Sequence, residues 1–514
     1  MPRSGDPWHV PALNRCSRIF QPGNMLSAPP APTISATATR ASIGAVLLAS
    51  FFLPFAVTGP AIVLPDMAAG LNASSAGTQW VQNSYNAIFA ATVLATGSLA
   101  DRFGRRLVFR IGIATFGLAM ALIAVSSNVL AIDVLRGVQG LAAGATVSAG
   151  SAVLAHATSG ARRVRVFGLL GASFGGGTAA GPLVAGALAP LGWRSIFVVI
   201  ALGAAVAFVA SRYAQESSDP STPRPDLPGM ACFGGALLLL SLGFVNSGTA
   251  GWLDPWTVAA FAGTIVLLGA FVAVELRSSH PMFDVRLFRR RAFTALMCMP
   301  FSVTFGLAAL NVFLPVFLQS GGASPWRAAV ELTPLEIPVL LVPLAARWLT
   351  SRWSMRTLLV AGPVLIAAGS SGLVVMDRGT STWVSALPLL LFGVGVGMAF
   401  SVMDNAAVST VPVDKAGSAA GMFNTMRITG ESLAVAATAA VLISVTAART
   451  STTQAVAAVQ GQQVPVTTGQ AFADALHVVV IGLGVLALLG AILTAWALRP
   501  SHDTEADEVR AGTR

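Results

Sequence analysis

The sequence predicts an all-α membrane protein with fourteen transmembrane helices. Three observations carry this: 54% of the 514 residues are hydrophobic, only 10% are charged, and cutting the chain at its charged residues leaves fourteen charge-poor stretches. An ordinary soluble chain is about a quarter charged, whereas roughly 20 consecutive apolar residues cross a bilayer core as a helix. A water-soluble globular protein is thereby excluded.

In chain order, stretches 41–65, 67–100, 111–132, 137–161, 166–193 and 195–211 supply spans 1 to 6. Stretches 227–253 and 255–274 supply spans 7 and 8, and 292–326, 337–346, 357–376, 379–403, 432–448 and 475–498 supply spans 9 to 14. Three of these are short. The stretch 195–211 nearly suffices as it stands, and 432–448 is completed by extending it back toward Arg427. The stretch 337–346 spans only if its helix begins near Ala328, which carries Glu331 and Glu336 into the membrane. Residues 1–40 are rich in Pro, Ser, Thr and Ala without a sustained apolar run. They read as a disordered cytoplasmic tail rather than a signal peptide, with Met25 as an alternative start. Residues 499–514 read as a second cytoplasmic tail.

The net charge of +10 rests on 30 Arg and one Lys, Lys415. With the N-terminus inside, 26 of these 31 cations fall in inner loops and tails. Only Arg194, Arg327, Arg378 and Arg449 fall outside, and Arg136 lies within a helix. This asymmetry obeys the positive-inside rule with both termini cytoplasmic. The basic balance therefore reports topology, and nucleic acid is not an expected partner. Trp80, Trp193, Trp252, Trp256, Trp326 and Trp383 fall near predicted outer ends, and Trp348, Trp353 and Trp496 near inner ends, as interfacial belts do. Preference for Arg over Lys, with abundant Ala and Gly, suits a GC-rich bacterial genome and hence a bacterial inner membrane.

Cys16, Cys232 and Cys298 are too few and too scattered for a disulfide framework or metal cluster, so no metal or cofactor is expected. A nucleotide-driven pump is excluded as well. The phosphate-cradling motif G-x-x-x-x-G-K-[ST] needs a lysine in a glycine frame, and Lys415 follows Asp414 without one. Gly171-Ala172-Ser173-Phe174-Gly175 fits the nucleophile-elbow pattern, but that pattern needs a strand-to-helix turn and here lies in a long apolar stretch. Gly393, Gly395 and Gly397 likewise read as helix packing rather than as a dinucleotide fingerprint. No enzyme is indicated.

The loop after span 2 is more informative. Gly97-Ser98-Leu99-Ala100-Asp101-Arg102-Phe103-Gly104-Arg105-Arg106 packs one carboxylate, three guanidiniums and a turn glycine into ten residues. Asp101 near a helix C-terminus opposes the dipole preference, which argues that specific donors hold it. A similar frame recurs 250 residues later, where Leu349, Arg352 and Arg356 match Leu99, Arg102 and Arg106. Such an internal repeat indicates two related halves.

Gly97 to Arg106 resembles the loop 2–3 signature of the major facilitator superfamily, and three further stretches resemble its fourteen-helix drug:proton antiporter branch. Leu135-Arg136-Gly137-Val138-Gln139-Gly140 is similar to the span 4 motif, and Gly177-Thr178-Ala179-Ala180-Gly181-Pro182-Leu183-Val184-Ala185-Gly186 to the span 5 antiporter motif, followed by Gly192-Trp193-Arg194. Ala416 to Arg427 resembles the start of span 13. The resemblance covers about residues 41–498. It implies the major facilitator fold: six-helix bundles at 41–212 and 292–498, with two additional central helices carried by 213–291. It implies alternating access, in which Asp101, Arg102, Arg105 and Arg106, turned at Gly104 beside Gly97, latch the cytoplasmic side. Gly177, Gly181 and Pro182 would then give close packing and a kink in span 5.

Proton coupling needs an ionisable group whose protonation and solvent access change together, and ionisable groups in membrane helices are functional candidates by default. Arg136 shares a helix face with Gln139 and Gly140, and the resemblance assigns it to proton transfer; Asp133, three residues earlier, alternatively neutralises it. In span 1 the family places an acid ahead of a Thr and a later Leu-Pro. Against Thr58, Leu64 and Pro65 that position is Ala56, so another acid must serve. Glu336 leads, since a helix starting near Ala328 places it about 12 Å from the outer end, close to mid-membrane. Glu331 sits nearer the outer interface, about 140° away around a regular helix. Asp404, near the inner end of span 12, would bind a cationic substrate or a proton. Glu431 follows Arg427 by four residues, which favours a local ion pair. The expected activity is proton-coupled export of drug-like or natural-product small molecules, with a cationic amphiphile favoured by the embedded acids. An uptake permease for a polar solute and a transport-inactive sensor stand as alternatives.

Overall fold

The computed structural model describes residues 36–73, 75–158, 160–214, 226–278, 281, 283–377, 382–411 and 416–499. The expected tails, apart from residues 36–40 and 499, lie outside the described residues, as do Cys16, Met25, Arg378 and Lys415. Among the described residues the chain is helical with no strand. The first half holds α1 (Ala36–Gly70), α2 (Ser75–Phe103), α3 (Arg105–Val125), α4 (Val129–Ala157), α5 (Gly160–Leu188) and α6 (Arg194–Ala210). Then come α7 (Leu227–Ala250) and α8 (Pro255–Arg277). The second half holds α9 (Arg291–Ser320), α10 (Pro325–Glu331), α11 (Thr333–Leu344), α12 (Ala346–Arg352), α13 (Met355–Gly372), α14 (Thr382–Ser409), α15 (Ala416–Ala447), α16 (Thr452–Val459) and α17 (Val466–Ala497).

Eleven helices among the described residues are long and apolar enough to cross a membrane. The three expected spans outside that set each have a physical reason. Both α2 and α5 run 29 residues, but α2 carries Thr78, Gln82, Asn83 and Asn86 and α5 is glycine-rich, so apolarity rather than length falls short. The tenth span, expected as one helix, is interrupted into α10, α11 and α12. Pro334, Pro338 and Pro343 lie in that stretch, and each removes a helical N–H donor. Large apolar side chains such as Leu202, Leu253, Ile265 and Leu489 are exposed on the outside, as a bilayer requires and water would penalise.

Within the first half α1 packs on α4, α5 and α6, and α4 on α2 and α3; within the second α9 packs on α15 and α17, and α14 on α11 and α13. The α7–α8 hairpin lies beside them, α7 touching α2 on one flank and α15 on the other. Both halves use the same crossing. Thr58 Oγ1 of α1 donates to the Thr178 carbonyl of α5 at 3.1 Å, and Thr304 Oγ1 of α9 donates to the Arg427 carbonyl of α15 at 3.0 Å. A small residue sits against each threonine, Gly181 and Gly430 respectively. The loop repeat is structural too: Arg106 Nη2 donates to the Arg212 carbonyl (2.9 Å) and its counterpart Arg356 to the Ala495 carbonyl (3.2 Å). Each arginine thus ties a third helix to the end of the last helix of its own half.

The halves close at the end away from the basic loops. A Cβ added to Gly186 of α5 would stand 3.0 Å from Ala329 Cβ and 3.1 Å from the Pro325 carbonyl, and one on Gly175 3.2 Å from the Val339 carbonyl. Toward the basic end, Gly171 of α5 and Gly421 of α15 have nothing within 4 Å of that position, and Asp404 is half exposed. The space between the halves therefore opens on the basic side.

Candidate functional site in the central cavity

A cavity of about 610 Å³, including its part open to solvent, lies between the halves. Its wall includes Pro54 of α1, Asn86 and Phe89 of α2, Phe174 and Thr178 of α5, Phe400 of α14, and Arg427, Glu431 and Ser432 of α15. Ser432 Oγ bonds the Asn86 carbonyl at 2.7 Å, a direct tie between the halves. Arg427, 12% exposed, stacks over Phe174 at 5.0 Å and faces Asp404 at 3.9 Å. The expected Arg427–Glu431 ion pair does not form. The guanidinium turns to Phe174 and Asp404 instead, and Glu431 stands on the cavity wall without a hydrogen bond or ion pair among the described residues.

Arg136 on α4 is completely buried. Its Nε donates to the Val81 carbonyl (2.7 Å), Nη1 to Ala56 O (3.0 Å) and Gln139 Oε1 (2.8 Å), and Nη2 to Gln82 Oε1 (2.9 Å). The Tyr85 ring lies 4.7 Å below it. No ion pair with Asp133 forms among the described residues. The position of the missing span 1 acid is thus filled by neutral oxygens, and the Ala56 carbonyl is available because Pro60, four residues on, has no N–H to give it.

The α1–α5 contact follows the same logic. Pro182 leaves the Thr178 carbonyl without its helical donor, and Thr58 supplies one. A Cβ on Gly177 would collide with the Phe51 carbonyl and one on Gly181 with Thr58 Oγ1, so only glycine admits this approach. Gly171 to Gly175 lie inside α5, which removes the elbow geometry, and Gly393 and Gly397 of α14 press against the Leu335 and Pro338 carbonyls of α11.

Glu336 on α11 is only 2% exposed and does not reach the cavity wall. Both its oxygens lack a hydrogen-bond partner; Asn311 of α9, itself 1% exposed and equally unsatisfied, is the polar group that approaches it. One turn on from Glu336, Val339 and Leu340 touch Gly175 and Gly176 of α5, so the carboxyl lies beside the contact that closes the far end. Glu331, expected nearer the outer interface, is 6% exposed and bonded to Arg327 at 2.9 Å.

In the basic loop, Asp101 takes Arg105 Nε at 2.9 Å across the α2–α3 turn, where Gly104 adopts φ 109°, a conformation that favours glycine. Arg102 is exposed beside Phe103. The Asp101–Arg105 and Arg106–Arg212 contacts stay within the first half, so no latch to the second half is formed by them with the cavity open on this side. Trp193, expected in an interfacial belt, is instead buried, packed on Phe197 and covered by Arg194 at 4.2 Å.

The sequence profile of the Major Facilitator Superfamily matches residues 46–435. The chain belongs to this superfamily. It is 32% identical over 457 residues to the puromycin resistance protein pur8 of Streptomyces alboniger, covering 87% of this chain and 88% of that one. It is 30% identical over 388 residues to the multidrug resistance protein Stp of Mycobacterium tuberculosis, covering 74% and 72%. The tetracenomycin C resistance and export protein of Streptomyces glaucescens is 28% identical over 424 residues, covering 81% and 76%. Among solved structures, a bacterial homolog of the human lysosomal transporter Spinster, inward-facing and unoccupied, superposes with TM-score 0.62 at 14% identity over 90% of this chain and 97% of that one. The all-helical, multi-pass facilitator fold is therefore this chain's fold.

Arg136 and Glu336 are legible in the sequence as ionisable groups within or beside apolar stretches. Gln82, Asn311 and the cavity position of Arg427 were not singled out; the signal for the first two was an isolated amide in a membrane stretch. Asp404 and Arg427 meet through tertiary packing alone.

Proposed function

We propose that the chain is a proton-coupled exporter of drug-like or natural-product small molecules, working by alternating access and conferring resistance or self-resistance. The observation that carries this is the aromatic cavity between two pseudo-symmetric halves, open on the basic side and lined by Arg427 and Glu431. The resistance and export functions named for its relatives support the same reading. In it, α2, α5 and the interrupted α10–α12 run complete fourteen spans, arranged as bundles 41–212 and 292–498 with α7 and α8 between them. The basic loops face the cytoplasm, which agrees with the positive-inside rule, and the described state is inward-open.

Proton coupling in this reading belongs to the second half. Glu336 is the carrier: a buried carboxylate without a cation is too costly to seal behind the α5–α11 contact, so closing the outer side requires the neutral acid. Glu431 and Asp404 face the cytoplasmic opening. Arg136 holds α1, α2 and α4 in register with neutral acceptors, and the Asp101 hairpin gates the cytoplasmic side. Expression in a drug-sensitive bacterial host, with accumulation of fluorescent amphiphiles as readout, tests the direction of transport: lowered accumulation supports export, and raised accumulation of a polar solute would support uptake instead.

A further inference from the structure

We infer that the cavity is built for amphoteric aromatic molecules, carrying an acid and an amine on one flat body. This rests on the export reading and names its substrate class. Arg427 and Glu431 lie four residues apart on one face of α15, where side chains normally meet. They do not pair. Arg427 donates no side-chain hydrogen bond among the described residues: Asp404 stands 3.9 Å away, beyond hydrogen-bond length, and Glu431 acts on it only through the field.

Guanidinium donors left unanswered in an apolar cavity are expensive, as is a lone carboxylate beside them. The face of Arg427 is taken by Phe174. Its edge faces Asp404 across 3.9 Å without a hydrogen bond, and a planar oxyanion fits the donors left on that edge through two parallel N–H bonds. Glu431, one turn along, offers its carboxylate to an ammonium. A purely cationic ligand answers Glu431 but meets the like charge of Arg427, and a purely anionic one meets the reverse. A ligand bearing both charges satisfies both groups while its rings lie against Phe89 and Phe400.

The test is equilibrium binding to the purified full chain in detergent, without any ion gradient, of ciprofloxacin, its methyl ester and its N-acetyl derivative. These share one aromatic body and carry both charges, only the cation, and only the anion. Ciprofloxacin should bind about tenfold or more tightly than either derivative. Arg427→Gln should weaken ciprofloxacin and the N-acetyl compound but spare the ester, and Glu431→Gln should weaken ciprofloxacin and the ester but spare the N-acetyl compound. Equal binding of all three to the wild-type chain, or binding of none, would overturn the inference even if a variant fails to fold. A chain that binds with this charge pattern yet drives no export would retain the inference and remove the export reading.

Discussion

Arg136 donates a 3.0 Å hydrogen bond to the main-chain carbonyl of Ala56, the carbonyl that Pro60 leaves without its helical donor. Three further acceptors and the Tyr85 ring complete its surroundings. A guanidinium provides donors in several directions from one plane, and an ammonium does not. Arg136→Gln should therefore destabilise the protein by roughly 3 kcal/mol or more, because several buried acceptors lose their donor at once. Adding Pro60→Ala, which returns a helical N–H to Ala56, should recover about 1 kcal/mol. Thermal unfolding in detergent measures both.

The glycines of α5 differ sharply in what surrounds them. Gly181→Ala would drive a methyl into Thr58 Oγ1, whereas Gly171→Ala meets nothing within 4 Å. The first should cost about 1–3 kcal/mol by overpacking and lower the yield of folded protein; the second should leave it unchanged. Comparing size-exclusion profiles and unfolding temperatures of the two separates packing from any general intolerance of α5 to substitution.

Asp101 and Arg105 are 38% and 26% exposed, so their ion pair contributes little to stability, about 1 kcal/mol at most. Asp101→Asn should accordingly unfold near the wild-type temperature. If the hairpin gates the cytoplasmic side, export by the same variant should fall at least tenfold. A parallel loss of folding and flux would make the pair merely structural.

Glu336 differs from Asp101 in having no cation beside it. Glu336→Gln replaces a buried acid without a hydrogen-bond partner by a neutral group of nearly the same shape, so stability should stay equal or rise slightly. The coupling account requires flux to become independent of the proton gradient. Asn311→Ala should show a milder form of the same phenotype, read as a smaller change in gradient dependence at unchanged unfolding temperature.

The architecture was legible because membrane insertion writes itself into composition: long charge-free runs fix the helices, and Arg placement orders the loops. The packing glycines were legible for a related reason, since Gly177 and Gly181 sit in a dense small-residue motif. What stayed hidden arose from proximity across helices. Arg427 reads as an inner-loop cation or a partner for Glu431, and only the packing of α15 against α5 and α14 brings it to Phe174 and Asp404. Arg136 reads as a cation sharing a face with Gln139, and only the packing of α1 and α2 against α4 brings the Ala56 and Val81 carbonyls and Gln82 to it. The tenth span looked continuous because its hydrophobicity persists through prolines that interrupt its hydrogen bonding.

If a proton gradient drives export and Glu336 couples the two, removing that one carboxyl must part transport from the gradient. Everted vesicles containing the wild-type chain, given fluorescent amphiphiles on the outside and compared with vesicles containing Glu336→Gln, separate the two. Uptake that follows an imposed proton gradient in wild-type vesicles and no longer responds to it in Glu336→Gln vesicles is the expected result. Gradient-driven uptake that survives unchanged in Glu336→Gln would contradict the assignment of the coupling group, and wild-type transport indifferent to the gradient would contradict proton-coupled export itself.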